Sequence, residues 1–258
     1  MGITDPILDH PLVTARYFYP WPNHFDDPFF VQGDGFRLGC RHLHISDDVP
    51  TIIHFHGNGE TVADYLGEFE ERITAMGVNL LLAEYRGYGM SDGVPGLATM
   101  LDDVRLIVAA SGFAPERIIF FGRSLGSLYA VHGASLYPEA AGLIIESGLA
   151  DPLDRILVRV EPHEVGATMD SLREAVGKYL HQQRKMEGFS GRTLILHTRH
   201  DDLVHVSHAE RLYGWAGGYK EKLIFERGDH NTIMTANETD YYQAVARFVS
   251  ADSCTRKE

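Results

Sequence analysis

Residues 120–127 read Phe-Phe-Gly-Arg-Ser-Leu-Gly-Ser, a serine set between two glycines straight after the apolar run 117–121. A run that short reads as a buried strand, and residues 125–131 read as a helix packed on a sheet. Ser124 therefore falls at a strand-to-helix corner. Gly-x-Ser-x-Gly at such a corner is the nucleophile-elbow pattern, in which small neighbours allow a tight turn that lifts the hydroxyl clear of the sheet. The chemistry it serves is attack of a serine oxygen on a carbonyl carbon. In a chain with 26 glycines the pentapeptide gains meaning only from its surroundings.

A serine hydroxyl is a weak nucleophile until an imidazole takes its proton, and that imidazole needs an acid to hold its tautomer. There are 14 histidines, so position must decide. In the order serine, acid, histidine, the stretch His197-Thr198-Arg199-His200-Asp201-Asp202 follows one apolar run, and Arg227-Gly228-Asp229-His230-Asn231 follows the next. Asp201 and His230 then sit on loops at adjacent strand ends. His205 and His208 are too close to Asp201 in sequence to occupy a separate loop. Asp202 is a second choice for the acid, although helix capping suits it better, and Glu146, at another strand end, is a third. An oxyanion needs donors as well. His56-Gly57-Asn58-Gly59-Glu60 is a glycine-rich turn opening onto a helix, and the Asn58 and Leu125 N–H groups form the expected pair.

The elements that must carry these residues recur as a short apolar run followed by a helical pattern. The runs are 51–55, 79–83, 117–121, 142–145, 193–196 and 222–225, with helices over about 62–75, 97–111 and from 125. Near-continuous apolar strands alternating with helices imply an α/β fold, a mostly parallel sheet covered on both faces, with ligands at the carboxyl ends of its strands. Residues 15–19 and 36–45 show partial alternation and predict an antiparallel pair at the sheet edge. Between Gly148 and Gly191 the rhythm lapses, which predicts a small helical lid inserted into one domain spanning residues 1–258. Leu149, Ile156, Leu157, Met169 and Leu172 are its candidates for a modest apolar acyl pocket.

Composition narrows the function classes. The chain has 258 residues and a formal charge of −13, which repels nucleic-acid phosphates and anionic lipid. No basic cluster supports an anion-selective pocket. Arg123 beside the serine is expected to pair with a buried carboxylate such as Glu84 or Glu146, the alternative being that it faces an anionic acyl or phosphate-bearing substrate. Cys40 and Cys254 lie near opposite ends and form neither a metal pattern nor a disulfide framework. No apolar run is long enough to span a bilayer and no signal peptide is evident, so a cytoplasmic protein without stable membrane insertion is expected. His197, His200, Asp201, Asp202, His205 and His208 are a dense set of ligand types. They share no helical face and leave the serine corner unexplained, so no metal is expected, and the serine chemistry needs no cofactor.

Taken together, His56-Gly57-Asn58-Gly59, Glu84-Tyr85-Arg86-Gly87-Tyr88-Gly89-Met90-Ser91, Gly122-Arg123-Ser124-Leu125-Gly126, Glu146-Ser147, Asp201 and His230 resemble the α/β-hydrolase fold family. Within it they resemble serine hydrolases of the Bem46-like group and of the alpha/beta hydrolase domain-containing 13 and 17 groups. The resemblance runs from about residue 15 to 249. It implies an eight-stranded, mostly parallel sheet with the second strand antiparallel, and Ser124, Asp201 and His230 as a catalytic triad. Glu84 stands where relatives commonly have aspartate. His197-Thr198 and Val204-His205 replace the usual His-Gly and Val-Pro, which leaves the choice between Asp201 and Asp202 open. Tyr85-Arg86-Gly87-Tyr88-Gly89 reads as a turn braced by an arginine and aromatics. The expected activity is cleavage of a carboxylic ester or thioester of a small acyl substrate through an acyl-enzyme. An amidase or peptidase would use the same residues, and a non-catalytic binding protein would keep the fold alone. Dehalogenase and epoxide hydrolase relatives carry aspartate where this chain has Ser124.

Overall fold

The computed structural model describes residues 2–250, so Cys254 lies outside the described residues. Eight strands form one sheet in the order β1-β2-β4-β3-β5-β6-β7-β8. They are β1 (Phe29–Gln32), β2 (Arg37–Leu43), β3 (Thr51–Phe55), β4 (Asn79–Ala83), β5 (Ile118–Arg123), β6 (Gly142–Glu146), β7 (Arg192–Thr198) and β8 (Lys220–Phe225). β2 runs antiparallel to both of its neighbours, and every other adjacent pair is parallel. The fold is the mostly parallel α/β sheet expected from the apolar runs.

The first section differs from expectation. Residues 15–19 form no strand; Pro11–Tyr17 is helix α1, opened by Pro11 and by the His10 ring, which accepts from Leu12 N–H. Val13 and Tyr17, four apart, bury one face of it. The true partner of β2 is β1, which follows Pro28 and is joined by a short turn closed by Gly33 N–H to Phe36 O at 2.8 Å. A turn this short closes at lower entropic cost than a link to residues 15–19. The helix expected over 62–75 is likewise broken. A 3₁₀ turn, Val62–Tyr65, is separated from helix α2 (Glu68–Thr74) by Gly67 at φ +77°.

Successive strand residues point to opposite faces and so supply two cores. Ile53, Phe55, Leu81, Phe120, Leu143 and Ile195 pack on one side, with helices α1, α3 (Met100–Ser111), α4 (Gly126–Leu136) and the helices that follow β6. Ile52, Leu80, Leu82, Ile119, Phe121 and Leu194 face the other, under α2 and the carboxyl-terminal helix. Between β6 and β7 lie α5 (Pro152–Leu157), a 3₁₀ turn Pro162–Val165, α6 (Met169–Tyr179) and α7 (Gln182–Glu187). Then come α8 (Ser207–Trp215), α9 (Ile233–Ala236) and α10 (Glu238–Ser250). No helix among the described residues is long and apolar enough to cross a membrane. Cys40 is buried in β2, where burial pushes its thiol up to about 12.

Helix α4, which carries the serine corner, is buried along nearly its whole length. His132 is part of that buried surface, and neither ring nitrogen finds a partner among the described residues. Burial, with Lys185 and Arg105 acting the same way, lowers it to about 3. In the unfolded chain the ring takes a proton near pH 6.5, so between pH 6.5 and 3 only the unfolded state binds it. Stability contributed by the neutral ring is present above pH 6.5 and lost as pH falls, at up to about 1.4 kcal/mol per pH unit. Urea denaturation at pH 7 and pH 4.5 should therefore show a smaller acid loss for His132→Leu than for the wild type. Equal losses would show that His132 is protonated in the fold.

Candidate active site

Ser124 follows the last residue of β5 and adopts φ +50°, a left-handed conformation that a residue with a Cβ occupies only under tertiary constraint. Two close approaches impose it. A Cβ on Gly122 would lie 2.5 Å from Gly126 O, and one on Gly126 would lie 2.0 Å from Phe55 O. Only glycines let the start of α4 fold back on β5 and press against the end of β3. The corner is then pinned by Ser124 N–H to Glu146 O at 2.9 Å and by Ser127 Oγ donating to Ser124 O at 2.6 Å.

His230 arrives from the loop after β8 with Nε2 2.9 Å from Ser124 Oγ and Nδ1 2.7 Å from Asp201 Oδ2. Because a carboxylate faces Nδ1, the proton sits there and Nε2 is free to accept from the serine. Asp201 Oδ1 accepts from Leu203 and Val204 N–H at 3.0 and 2.7 Å. Burial works to raise the Asp201 carboxyl, but the His230 hydrogen bond and charge and the Val204 N–H outweigh it and hold it below the usual carboxylate range. Asp202 is exposed and makes no contact with His230. Glu146 is occupied elsewhere, accepting from Arg123 Nε at 3.0 Å and from the Tyr241 hydroxyl. Of the remaining histidines of the acid loop, only His197 stays beside the acid: its Nε2 donates to Val204 O at 2.8 Å and lies 3.4 Å from Asp201 Oδ2. His200 and His205 are exposed, and His208 Nδ1 accepts from Ala150 N–H at 3.0 Å. Among the described residues no three His, Cys, Asp or Glu side chains gather as a metal-holding group.

The turn after β3 is held by a buried charge pair. His56 Nε2 lies 2.6 Å from Glu84 Oε1 and Nδ1 lies 2.8 Å from Gly57 O, so both ring nitrogens face acceptors and both carry protons. Burial opposes that charge, but Glu84 outweighs it and raises the pKa of His56. Gly57 N–H is used by Glu60 at 2.6 Å, whereas Asn58 N–H and Leu125 N–H have no acceptor among the described residues. The Asn58 side chain has a task that sequence reasoning missed. It donates to Tyr17 O at 2.5 Å and accepts from Tyr19 N–H and the Tyr88 hydroxyl at 3.1 and 2.7 Å. It thereby ties the chain after α1 to the turn. Tyr88 belongs to the braced turn expected at 85–89, where Arg86 grips Asp103 through two bonds of 2.8 and 2.6 Å and lies over the Phe36 ring.

A cavity of about 140 Å³ opens above Ser124, with Tyr17, Asn58, Leu125, Leu149 and His230 in its wall. Of the lid residues expected to form an apolar pocket, only Leu149 reaches it; Ile156 and Leu172 are buried in the core and Leu157 packs against it. In their place stand Arg155 and Arg159, which the sequence, with no basic cluster to suggest an anion-selective pocket, did not place at the site. The two lie four apart in sequence, at and just beyond the end of α5, and their signal was the spacing of one helical face. Tyr17 lies among them as a neutral phenol, which burial pushes up to about 12 against the pull of Arg155 and Arg159.

Comparison with known proteins follows this geometry. Residues 47–165 match the family model described as serine aminopeptidase, S33. The protein YfhR of Escherichia coli K12, described as uncharacterised, is 23% identical over 255 residues, covering 90% of this chain and 86% of its own. Human alpha/beta hydrolase domain-containing protein 17C is 27% identical over 223 residues, covering 83% of this chain and 62% of its own. Among solved structures, Est1E from Butyrivibrio proteoclasticus, determined with ferulic acid bound, superposes with a TM-score of 0.74 at 17% identity, covering 88% of this chain and 99% of its own. A monoacylglycerol lipase from Paleococcus ferrophilus gives 0.64 at 17%, covering 83% and 99%.

Beneath the corner, Arg123 is nearly enclosed and pairs with Glu146 as expected, but its second carboxylate is Glu60 rather than Glu84. Its Nη2 also donates to His230 O at 2.9 Å, so one guanidinium joins β5, β6, the turn after β3 and the histidine loop. Removing one partner of a buried pair leaves an uncompensated charge. Arg123→Met should lower stability by about 3–5 kcal/mol in urea denaturation, and adding Glu146→Gln should recover part of that loss. A loss under about 1 kcal/mol for the single variant would show that the network is not held by charge.

Proposed function

For a chain that has the α/β-hydrolase fold and resembles the alpha/beta hydrolase domain-containing 17 group, we propose that it is a serine hydrolase that cleaves a carboxylic ester or thioester of a small acyl substrate. The observation that carries the reading is the continuous contact from Asp201 through His230 to Ser124, opening into a cavity where the Asn58 and Leu125 N–H groups lack acceptors. The monoacylglycerol lipase, and an esterase from Pyrococcus furiosus that superposes with a TM-score of 0.66 at 16% identity, support ester chemistry. The helices between β6 and β7 act as the lid of a single domain.

In the proposed reaction His230 Nε2 takes the Ser124 hydroxyl proton as Oγ attacks the carbonyl carbon. The negative charge that forms on the carbonyl oxygen is met by Asn58 and Leu125 N–H. His230, now doubly protonated, faces the ionised Asp201 and returns its proton to the leaving oxygen or sulfur. An ester joins Ser124 to the acyl group. Water then repeats the steps, its proton passing to His230, and Ser124 recovers its own. Asp201 stays ionised throughout, consistent with its lowered pKa. The same groups cleave an amide, and the family model's serine aminopeptidase description keeps that as a second reading.

Hydrolysis of p-nitrophenyl esters from acetate to decanoate tests the proposal, with anilides of the same acids as the amide arm. The wild type should turn over esters, favour short acyl groups because the cavity is only about 140 Å³, and add one fluorophosphonate label. Ser124→Ala should abolish labelling and lower kcat by roughly a thousandfold or more, and Asp201→Asn by a similar order with labelling slowed. A folded wild type that neither labels nor turns over would instead point to a non-catalytic binding protein.

A further inference from the structure

The chain carries 36 acidic and 23 basic side chains, and most of its arginines pair with a carboxylate at the surface or in the core. Two of the three that wall the serine cavity, Arg155 and Arg159, do not. Arg155 Nη1 donates to Leu203 O at 2.9 Å, and Arg159 Nη1 donates to Arg16 O at 3.1 Å while its guanidinium sits 5.2 Å from the Tyr19 ring centroid. Neither lies within salt-bridge distance of a carboxylate among the described residues. Carboxylates are nevertheless close by: Asp151 pairs with Arg211, Glu164 pairs with Arg16, and Asp154 is exposed on the same helix. The third arginine of the cavity, Arg123, is neutralised by Glu60 and Glu146 and adds no net charge.

Backbone carbonyls and a ring hold Arg155 and Arg159 in place without cancelling their charge. Each guanidinium has five N–H donors and uses one of its Nη1 donors on a backbone oxygen, which leaves several free at the cavity wall. The cavity wall holds these two cations, a neutral Tyr17 phenol and the aliphatic Leu125, Leu149, Leu203 and Val204, and among the described residues no carboxylate, which suits a short acyl chain that ends in a negative group. With an overall charge of −13 the protein as a whole disfavours anions, so two cations without a carboxylate partner at the mouth of the serine cavity form a local exception.

Building on the serine-hydrolase reading, we propose that Arg155 and Arg159 set specificity for a small ester or thioester that itself carries a carboxylate or phosphate. The anion seats against the two guanidinium groups while the scissile carbonyl lies over Ser124. They are specificity-determining residues and take no part in proton transfer.

Matched ester pairs test this, with acid release followed by pH-stat. Monomethyl glutarate against methyl valerate places the anion on the acyl side, and 3-acetoxypropanoate against butyl acetate places it on the leaving side. The wild type should favour the anionic member of at least one pair by about tenfold in kcat/KM, chiefly through KM. The pair that shows it identifies the side. Arg155→Gln and Arg159→Gln should each reduce the anionic-to-neutral ratio several-fold, the double variant should bring it to about one, and Arg→Lys should retain part of it. A reading that scores the ratio separates specificity from general damage, which lowers both substrates together. Equal or lower kcat/KM for both anions in the wild type, or a ratio unmoved by the double variant, overturns the proposal. Binding of monomethyl glutarate to Ser124→Ala by calorimetry keeps the two readings apart. If the wild type hydrolyses nothing but Ser124→Ala binds monomethyl glutarate and loses it with the double Gln change, the serine reading fails and the anion site stands. If no binding is seen there either, the anion site fails as well.

Discussion

The backbone of Ser124 at φ +50° is the constraint on which the rest of the site depends. A residue with a Cβ in that conformation costs of order 1–3 kcal/mol, so it persists only where its surroundings leave no alternative. Here Gly126 is pressed against Phe55 O and Gly122 against Gly126 O, so α4 begins with its first turn almost touching the end of β3. That closeness has a second result. β3 and β5 are adjacent parallel strands, and the turn that follows β3 is thereby held beside the Leu125 N–H. The same contact exposes the serine and assembles the two backbone donors.

Buried charge fixes the surrounding loops in relation to that corner. His56 and Glu84 join the turn after β3 to the end of β4, and Glu84 also accepts from Val62 N–H at 3.0 Å. Arg123 joins the turn, β6 and the histidine loop in the same way. Buried ion pairs contribute little net stability compared with well-packed apolar residues, so their value here lies in geometry. A loop bound by directional hydrogen bonds has one position, whereas an apolar contact tolerates sliding. The proposed proton transfer from Ser124 to His230, and the orientation of His230 by Asp201, depend on distances of 2.9 and 2.7 Å, which this bracing maintains.

Above the sheet the character of the site changes. The end of α1 and the chain just after it are drawn in by Asn58 and contribute Tyr17 and Tyr19 to the wall. The helices after β6 bury Ile156, Leu172 and Val176 against the core, which spends their apolar faces on packing. What remains to face the cavity from α5 is its polar side. An amphipathic helix laid over a strand end therefore presents cations where an apolar lining would be expected from its composition.

Much of this was legible in the sequence for reasons of short range. Continuous apolar runs such as 118–121 and 142–145 must be buried strands, and Gly122 and Gly126 around Ser124 mark a tight corner because only small residues fit one. Ser124, Asp201 and His230 were legible because each follows the end of an apolar run, those of β5, β7 and β8, in the order serine, acid, histidine. Other features depended on contacts between segments far apart in the chain. Residues 15–19 carry a pattern compatible with strand or helix, and only the competition of Phe29–Gln32 for β2, with its shorter turn, resolves it. Asp201 and Asp202 are equivalent as a sequence, and they differ because the loop turns Asp201 inward against Val204 N–H and His230 while leaving Asp202 in solvent. Arg155 and Arg159 look like ordinary surface charges until α5 is docked. The sequence by itself determined which residues are able to react and which runs must be buried, because those follow from side-chain chemistry and local periodicity. Only the tertiary structure decided which groups meet and which charges go unpaired, because both depend on how segments distant in the chain, from about thirty to more than a hundred residues apart, divide the available partners.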